Sequence, residues 1–128
     1  MTVETALVTQ LQTSAALVAL VGTRIEPVTN AQSGSWPALT YQQISHPKEH
    51  TQEGDGMQSP RFQLTATATT FSEVCAVTAA ARAVLDGVQW GGGYTSFADG
   101  QVDSYAAQSG QRGVFVRRLD VVIWYGAG

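Results

Sequence analysis

Residue types that bind metal ions are concentrated in one polar stretch of the sequence. They are His46, Glu49, His50, Glu53 and Asp55. On a helix, two histidines four residues apart would lie on one face and could share a metal ion. Pro47, Gly54 and Gly56 disfavour a helix, so these side chains have no common face. We interpret them as part of a solvent-exposed loop and expect no metal site.

The other reactive residue types stand without the partners that catalysis would need. Cys75 is the only cysteine, and no histidine is placed predictably beside it as an activating base. Residues 91–93 are three glycines that lack the lysine and the strand-turn-helix context of a phosphate-binding loop. For Asp99 and Asp103 the sequence predicts no fixed geometry. With no G-x-S-x-G or H-E-x-x-H motif either, we predict no enzymatic activity and no cofactor.

The clearest structural signal lies between Pro60 and Gly87. Polar and apolar residues alternate strictly over residues 61–69, a period typical of a strand with one buried face. Thr70 and Glu73 then stand in capping-box spacing, which predicts the start of a helix. The apolar residues at helical spacing are Val74, Val77, Ala81, Val84, Leu85 and Val88. A strand thus leads directly into a helix that must pack back on it and that Gly87 is expected to end, which predicts a two-layer unit.

The N-terminal residues predict two helices separated by a break. Apolar residues recur at helical spacing in a first helix that starts near Thr2. Thr13 or Ser14 can cap a second, short apolar helix, and Gly22 can end it in the left-handed conformation. Residues 24–27 are expected to form a short edge strand, because the proline at their end cannot donate to a ladder.

The middle of the sequence predicts a hairpin with a long connection. Residues 37–46 are rich in strand formers and precede the strand at 61–69. Between the two, Lys48–Gln58 is polar, contains two glycines and has no period. We expect it to be a long exposed hairpin loop, and connections of this length are usually functional or disordered.

The last third of the sequence predicts the longest strand. Residues 90–93 are expected to be a turn, and one strand is expected near 102–106. The strand at 114–125 has two distinct faces. One face carries Phe115, Leu119, Val121, Ile123 and Tyr125, and the other carries Val116, Arg118, Asp120, Val122 and Trp124.

Two strand faces are expected to lie on the side of the sheet away from the helices. One carries Arg61, Gln63, Thr65, Thr67 and Thr69, and the other carries Arg118, Asp120, Val122 and Trp124. A solvated face is normal for an antiparallel sheet. A tryptophan beside an arginine also suits a subunit contact, since both residue types are enriched in interfaces. Both interpretations stay open on the residues alone.

Length and composition are those of one α+β domain. We predict a mostly antiparallel sheet of about four strands with the helices packed on one face. Charged residues make up only 13% of the chain, which indicates a surface partly covered by a partner. The net charge is −3 and the seven basic residues are scattered, so specific nucleic-acid binding is not expected. A single cysteine allows no internal disulfide, and we expect no signal peptide and no membrane span.

The order of several short motifs resembles a known protein family. The strongest are L-V-G-T-R-I-E-P at 20–27 and the closing R-R-L-D-V-V-I-W-Y at 117–125. Between them come W-P-A-L-T-Y-Q-Q-I at 36–44 and R-F-Q-L-T-A-T-A-T-T-F-S-E-V at 61–74. Together these segments resemble the tail completion, or tail terminator, proteins of long-tailed bacteriophages and prophages, over nearly the whole chain.

The resemblance implies a structural α+β subunit that forms a ring, expected to be hexameric, on the tail tube. Such a ring joins the tube to the head connector, so the implied partners are further copies of the chain, the tail tube protein and a connector protein. The implied location is the head–tail junction of the virion, with assembly in the host cytoplasm. DNA would pass through the ring without specific binding, and neither a cofactor nor a membrane is implied.

Two alternatives remain at this point: another head–tail connector component, such as a stopper or adaptor, or a small-ligand-binding α+β domain. For the ring protein, the expected contacts with a neighbouring subunit or the tube come from the outer strand faces and the polar loop. These residues are Arg61, Gln63, Thr65, Arg118, Asp120 and Trp124, together with Lys48, Glu49, His50, Glu53 and Asp55.

Overall fold

The computed structural model describes residues 3–22, 24–27, 37–45, 48–51, 54–91, 93–108 and 111–126, with the side chains of 48–57, 106–108 and 111–113 left out. Three helices and eight strands lie in these ranges. The helices are α1 (Val3–Gln12), α2 (Ala15–Val21) and α3 (Phe71–Leu85). The strands are β1 (Ile25–Pro27), β2 (Ala38–Ser45), β3 (Lys48–Thr51), β4 (Gly54–Gln58), β5 (Arg61–Ala68), β6 (Val88–Trp90), β7 (Tyr94–Gln108) and β8 (Gln111–Gly126).

The strands form a mixed sheet with β8 near its centre. Within the described ranges the order is β1-β2-β5-β8, continued beyond β8 by β7 and β6. β4 follows β5 along the same side of β8, and β3 pairs with β4. Only β1 and β2 run parallel, so the predicted α+β class and the mostly antiparallel sheet are confirmed. The predicted number of about four strands is wrong, because the described chain has eight.

The core lies between the three helices and one face of the sheet. The alternation predicted for residues 61–69 is confirmed, since every second side chain from Phe62 to Ala68 is buried. On β8, Leu119, Val121 and Ile123 are buried on the same side. α3 packs on β5, β7 and β8, and α1 and α2 pack against α3. Burying each of these large side chains contributes about 1.5–3 kcal/mol, so this layer is the main source of stability.

The helix ends follow the predicted capping chemistry. Ser14 caps α2 by accepting a hydrogen bond from the amide of Leu17, and Gly22 ends it at φ 59°. Thr70 caps α3 by accepting from the amide of Glu73 at 3.2 Å, and its hydroxyl also donates to the Glu73 carboxylate. These local bonds fix where the chain leaves the sheet and enters the helix layer.

The predicted loop at Lys48–Gln58 is instead a two-stranded ribbon, which we call the β3–β4 arm. The ladder between β2 and β5 has a bulge near Ser45, at its end. Further along the chain β3 pairs with β4, and the last pair of that ladder is Thr51 with Gly54. Residues 48–51 and 54–56 pair with no described strand outside the arm. The sequence concealed these strands because it is polar, contains glycines and shows no alternation.

The segment after α3 also differs from the sequence-based expectation. Val88 was expected on the helix stripe, but α3 ends at Leu85 and Val88 begins β6. The expected turn at 90–93 begins one residue later, at Gly91 with φ 58°, and joins β6 to β7. β7 runs from Tyr94 to Gln108 and is far longer than the predicted 102–106, because a bulge between Ala98 and Gly100 absorbs the glycine without ending the strand.

Replacing the α3 cap should weaken the fold without altering the sheet. Thr70→Ala removes the side-chain acceptor for the Glu73 amide. The expected loss is about 1 kcal/mol of unfolding free energy, or a decrease of about 3–5 °C in Tm. Thermal unfolding followed by circular dichroism measures it. Thr9→Ala, which removes an exposed hydroxyl in α1, is the control and should change stability by less than about 0.5 kcal/mol. Equal Tm values for the two variants would contradict the assigned cap.

Candidate subunit interface

The sheet face away from the helices gathers six of the residues that the sequence singled out. Gln63 pairs directly with Asp120, and Thr65 with Arg118, across β5 and β8. Arg61 pairs with Val122, and Trp124 lies two residues further along the same face of β8. All of these outer-face side chains are half-buried. We call this surface the outer face.

The charges of the outer face are balanced within the chain. The Arg61 guanidinium lies 2.6 Å from the carboxylate of Asp99 on β7 and 3.9 Å from that of Asp120 on β8. Arg118 donates to the hydroxyl of Ser104 at 3.2 Å. Exposed pairs of this kind contribute little to stability. Their effect is to leave the face with little net charge, which lowers the desolvation penalty when a second surface covers it.

Apolar side chains stand among these charges. Phe97 on β7 pairs with Val122 and is 46% exposed, and Val102 pairs with Arg118 and is 62% exposed. Phe97, Val122 and Trp124 line an open cleft of about 340 Å³ beside Arg61. An aromatic and an arginine next to exposed apolar side chains make up the composition that is enriched in protein interfaces.

A second cluster, which sequence reasoning missed, holds the far end of β7 to β8. Arg117 binds Asp103 through two hydrogen bonds, Nε–Oδ1 at 2.7 Å and Nη2–Oδ2 at 3.0 Å. Its guanidinium also lies 5.2 Å from the ring centre of Phe71, at the start of α3. The signal was present in the sequence, because Arg117 interrupts the apolar face of β8 that runs from Phe115 to Tyr125.

The contacts within this cluster shift the pKa values of Asp103 and Arg117 in the directions that favour their charged forms. The hydrogen bonds from Arg117, reinforced by its charge, hold the pKa of Asp103 below its ordinary value. The same bonds raise the pKa of Arg117, with a smaller contribution from the nearby Cys75. The rings of Tyr105 and Phe115 pack beside the pair at an angle of 59°, with centres 4.8 Å apart. The cluster joins β7 to β8 near the level at which the helix layer ends.

The predicted residues of the β3–β4 arm are only partly placed. Lys48, Glu49 and His50 lie in β3 and Asp55 lies in β4, in a ribbon that continues past the C-terminal end of β8. Glu53 and His46 fall outside the described residues, as do the side chains of the other four. The arm and the outer face therefore adjoin through the pairing of β4 with the end of β8, and the orientation of the arm side chains stays a prediction.

Two kinds of site find no support in the part of the chain that is described. No group of three histidine, cysteine, aspartate or glutamate side chains there could hold a metal ion. No single described helix is long and apolar enough to cross a membrane. α1 and α2 reach that length only together, but they meet at 94° and bury Leu7, Leu11 and Leu17 in the core.

The titration of Asp103 should report the ion pair. Arg117 lowers the pKa of Asp103 in the folded chain. The ion pair therefore stabilises the fold fully at a pH above the ordinary aspartate pKa of about 4. This stabilisation is lost as the pH falls through the lower pKa of the folded chain. Arg117→Lys keeps the charge but removes the planar fork, so the pKa of Asp103 should rise towards its ordinary value. Carboxyl chemical shifts measured by NMR against pH decide it. An unchanged Asp103 titration in the variant would refute the pairing, and an unchanged Tyr41 hydroxyl titration serves as the internal control.

Comparison with known proteins places the chain in a family. Its sequence matches the family model of the tail completion protein gp17 over residues 5–125, which confirms the resemblance. No curated protein matches the sequence at a significant level. A chain of a solved structure titled "Virion of native gene transfer agent (GTA) particle" shares the fold, with a TM-score of 0.63 and 20% identity over 96% of this chain and 92% of that one. Because the family match runs from α1 to β8, the chain belongs to the tail completion protein gp17 family of bacteriophage tail proteins.

Proposed function

We propose that the chain is a structural subunit that assembles with further copies of itself into a ring at the end of the tail tube. The ring, expected to be hexameric, joins the tube to the head connector and acts without enzymatic chemistry or a cofactor. The family match over residues 5–125 carries this proposal. The similar fold of a chain from a gene transfer agent virion supports a place in the virion, and the position at the junction of head and tail is part of the proposal.

The outer face supplies the first surface suited to such an assembly. Trp124 and Phe97 provide aromatic area, and Arg61 lines the same cleft with its charge already matched by Asp99 and Asp120. A charge that is paired within its own subunit can be covered without leaving an unpaired ion in the contact. An antiparallel sheet can instead expose such a face to water. The low charge content of the whole chain favours the covered state.

The β3–β4 arm supplies the second surface. It is a ribbon of two short strands that continues past the body of the sheet. A two-stranded hairpin is at best marginally stable in water, and three strands or a packed helix are needed for independent stability. The arm therefore gains most of its order from a partner. In the ring this partner is a neighbouring subunit or the tail tube.

The charge distribution suits a ring through which DNA passes. Three of the described arginines, Arg61, Arg82 and Arg117, are each paired with an aspartate of the same chain. Arg24 donates to the backbone carbonyls of Pro37 and Leu20. Arginines engaged in this way cannot grip phosphates strongly, so DNA can move past without being held.

Shortening the arm should separate assembly from stability. In the test variant Asn-Gly replaces residues 48–57, so that the hairpin closes nearer to the sheet. Since the arm pairs with the rest of the described sheet only at Met57 and Gln58, and closure entropy changes slowly with loop length, the Tm should change by no more than about 2 °C. Ring formation and tail completion should be lost, as measured by complementation of a phage or prophage that lacks the gene.

The matched control changes the chemistry of the turn but keeps the arm. It carries Gln52→Asn, which lies outside the predicted contact residues, and it should assemble normally. Infectious particles from the shortened variant would refute the role of the arm, and unfolding of the shortened variant would show that the arm belongs to the core.

DNA binding should be weak and non-specific. Because three described arginines are paired with aspartates and two more donate to acceptors of the same chain, we expect few counterions to be released and a Kd of about 10⁻⁵ M or weaker for duplex DNA at physiological salt. Fluorescence anisotropy over a range of salt concentrations measures both the affinity and its salt slope. Tight binding with a steep salt slope would contradict a passive channel.

A further inference from the structure

One long strand edge of the sheet has no partner among the described residues. β6 covers the outer side of β7 only from Tyr94 to Ser96, and the next outward amide, that of Ala98, donates to the carboxylate of Asp86. From Asp99 to Gln108 no described strand pairs with this side of β7. An edge of this length presents a row of free backbone donors and acceptors.

The opposite side of the sheet has a second free edge. β1 pairs with β2 only at Leu39–Tyr41. Beyond this point no described strand covers the outer side of β2 from Gln42 to Ser45, and the same holds for β3. The sheet thus ends on both sides in long, unpaired strands.

Most of the features that normally protect an exposed edge are missing from the β7 edge. Natural edge strands are guarded by lysines, prolines, inward-pointing charges or bulges, and of these β7 has the bulges at Ala98–Gly100 and Ala106–Gln108. Residues 97–108 contain neither lysine nor proline. Their two charges, Asp99 and Asp103, are engaged by Arg61 and Arg117 of the same chain. Two exposed residues of the same segment are apolar or aromatic, with Val102 at 62% and Tyr105 at 55% exposed.

The directions of the two edges are complementary. β2 is antiparallel to β5, β5 to β8, and β8 to β7, so β2 and β7 run in opposite directions within one chain. A copy related by rotation about a ring axis keeps its strand directions relative to that axis. The β2 edge of the next copy can therefore meet the β7 edge as an ordinary antiparallel pair.

We propose that in the ring the β7 edge of each subunit pairs antiparallel with the β2–β3 edge of the next subunit, so that one sheet continues around the ring. The inference rests on the proposed function, because it names the contact that closes the proposed ring. The occupant of the edge is a second copy of this chain. Unlike a two-fold contact, this contact joins two different surfaces, which is the arrangement that generates rings.

The positions of the two edges add a geometric requirement. The free part of β7 lies towards the tip of the β7–β8 hairpin, beyond the level at which Ala98 faces Val121. The free part of β2 and β3 lies towards the other end of the sheet, where β4 pairs with the last residues of β8. Neighbouring subunits must therefore shift along the strands, and the strands must tilt from the ring axis, as they do in closed barrels.

The register identifies amides that the contact uses. The amide of Ile123 donates to the carbonyl of Pro60, so odd-numbered residues of β8 point towards β4 and β5. Leu119 therefore points away from β7, and its partner Gln101 points outward. On the other edge, the amide of Leu39 donates to the carbonyl of Arg24, so Gln43 also points outward.

The test compares proline with alanine at these two glutamines. Gln101→Pro and Gln43→Pro each remove an outward amide and place a ring in the contact, while leaving the internal ladder intact. Gln101→Ala and Gln43→Ala lose the same side chain but keep the amide. We expect both proline variants to associate at least about tenfold more weakly, and both alanine variants to form rings like the wild type. Sedimentation velocity and native mass spectrometry measure association, and circular dichroism verifies folding.

The outcomes separate the two proposals. Rings from all four variants would overturn the edge pairing and leave the proposed ring in place. A wild-type protein that forms no ring, alone or in particles, would overturn both.

If a proline variant does not fold, disulfide trapping in a Cys75→Ser background tests the edge contact instead. Gln43→Cys would be combined in turn with cysteine at each of residues 99–105. A ladder of covalent oligomers for at least one pair supports the edge contact, and its absence for every pair refutes it.

Discussion

The register of β8 is the constraint on which the rest of the fold depends. This strand pairs with β5 on one side and with β7 on the other, and both of its faces are covered or half-covered. A slip of one residue would move Leu119, Val121 and Ile123 out of the core and bring Arg118 and Asp120 into it. Losing three such side chains would cost about 5–9 kcal/mol, comparable to the stability of a whole domain. This register determines where the helix layer, the outer face and both free edges lie.

The strands continue beyond the core that specifies them. β5 pairs with β8 up to Ala68 and Phe115, and the helix layer ends nearby with the cap of α3. Past that level β7 and β8 continue only as their own ladder, from the pair Ala106–Val114 to the pair Gln108–Gln111. The Arg117–Asp103 pair and the ring of Tyr105 lie just before it, where β8 still pairs with β5. At the other end the β3–β4 arm has its own ladder and two pairs with the end of β8. Such projecting ribbons bury little apolar surface. A fold with two of them therefore has surface available for contact with a partner.

The parts of the fold that local rules determine were predictable from sequence, and the parts set by pairing were not. Strict alternation located β5, and the threonine at 70 located the start of α3, because each signal needs only neighbouring residues. The β3–β4 arm was missed because its polar, glycine-containing sequence has no alternation to detect. β7 was cut short because Asp99-Gly100 looks like a turn, whereas the long ladder with β8 tolerates it as a bulge. At the candidate interface, alternation placed Arg61, Gln63, Thr65, Arg118, Asp120 and Trp124 on one face. It gave no sign of the free β7 edge, which depends on where other strands stop.

The short strands at the two sides of the sheet limit how two copies of the chain can pair. β1 and β6 have three residues each in the part of the chain that is described, and β1 ends in Pro27, which has no amide hydrogen to donate. Each covers one end of a long edge and leaves the other end open. Two copies can then pair only where both edges are open, which restricts the offset between them to a narrow range. An unrestricted pair of edges could join at many offsets and would propagate as a fibre. A fixed offset sets one tilt and one rotation per subunit, and this is the condition under which a continuing sheet can close on itself.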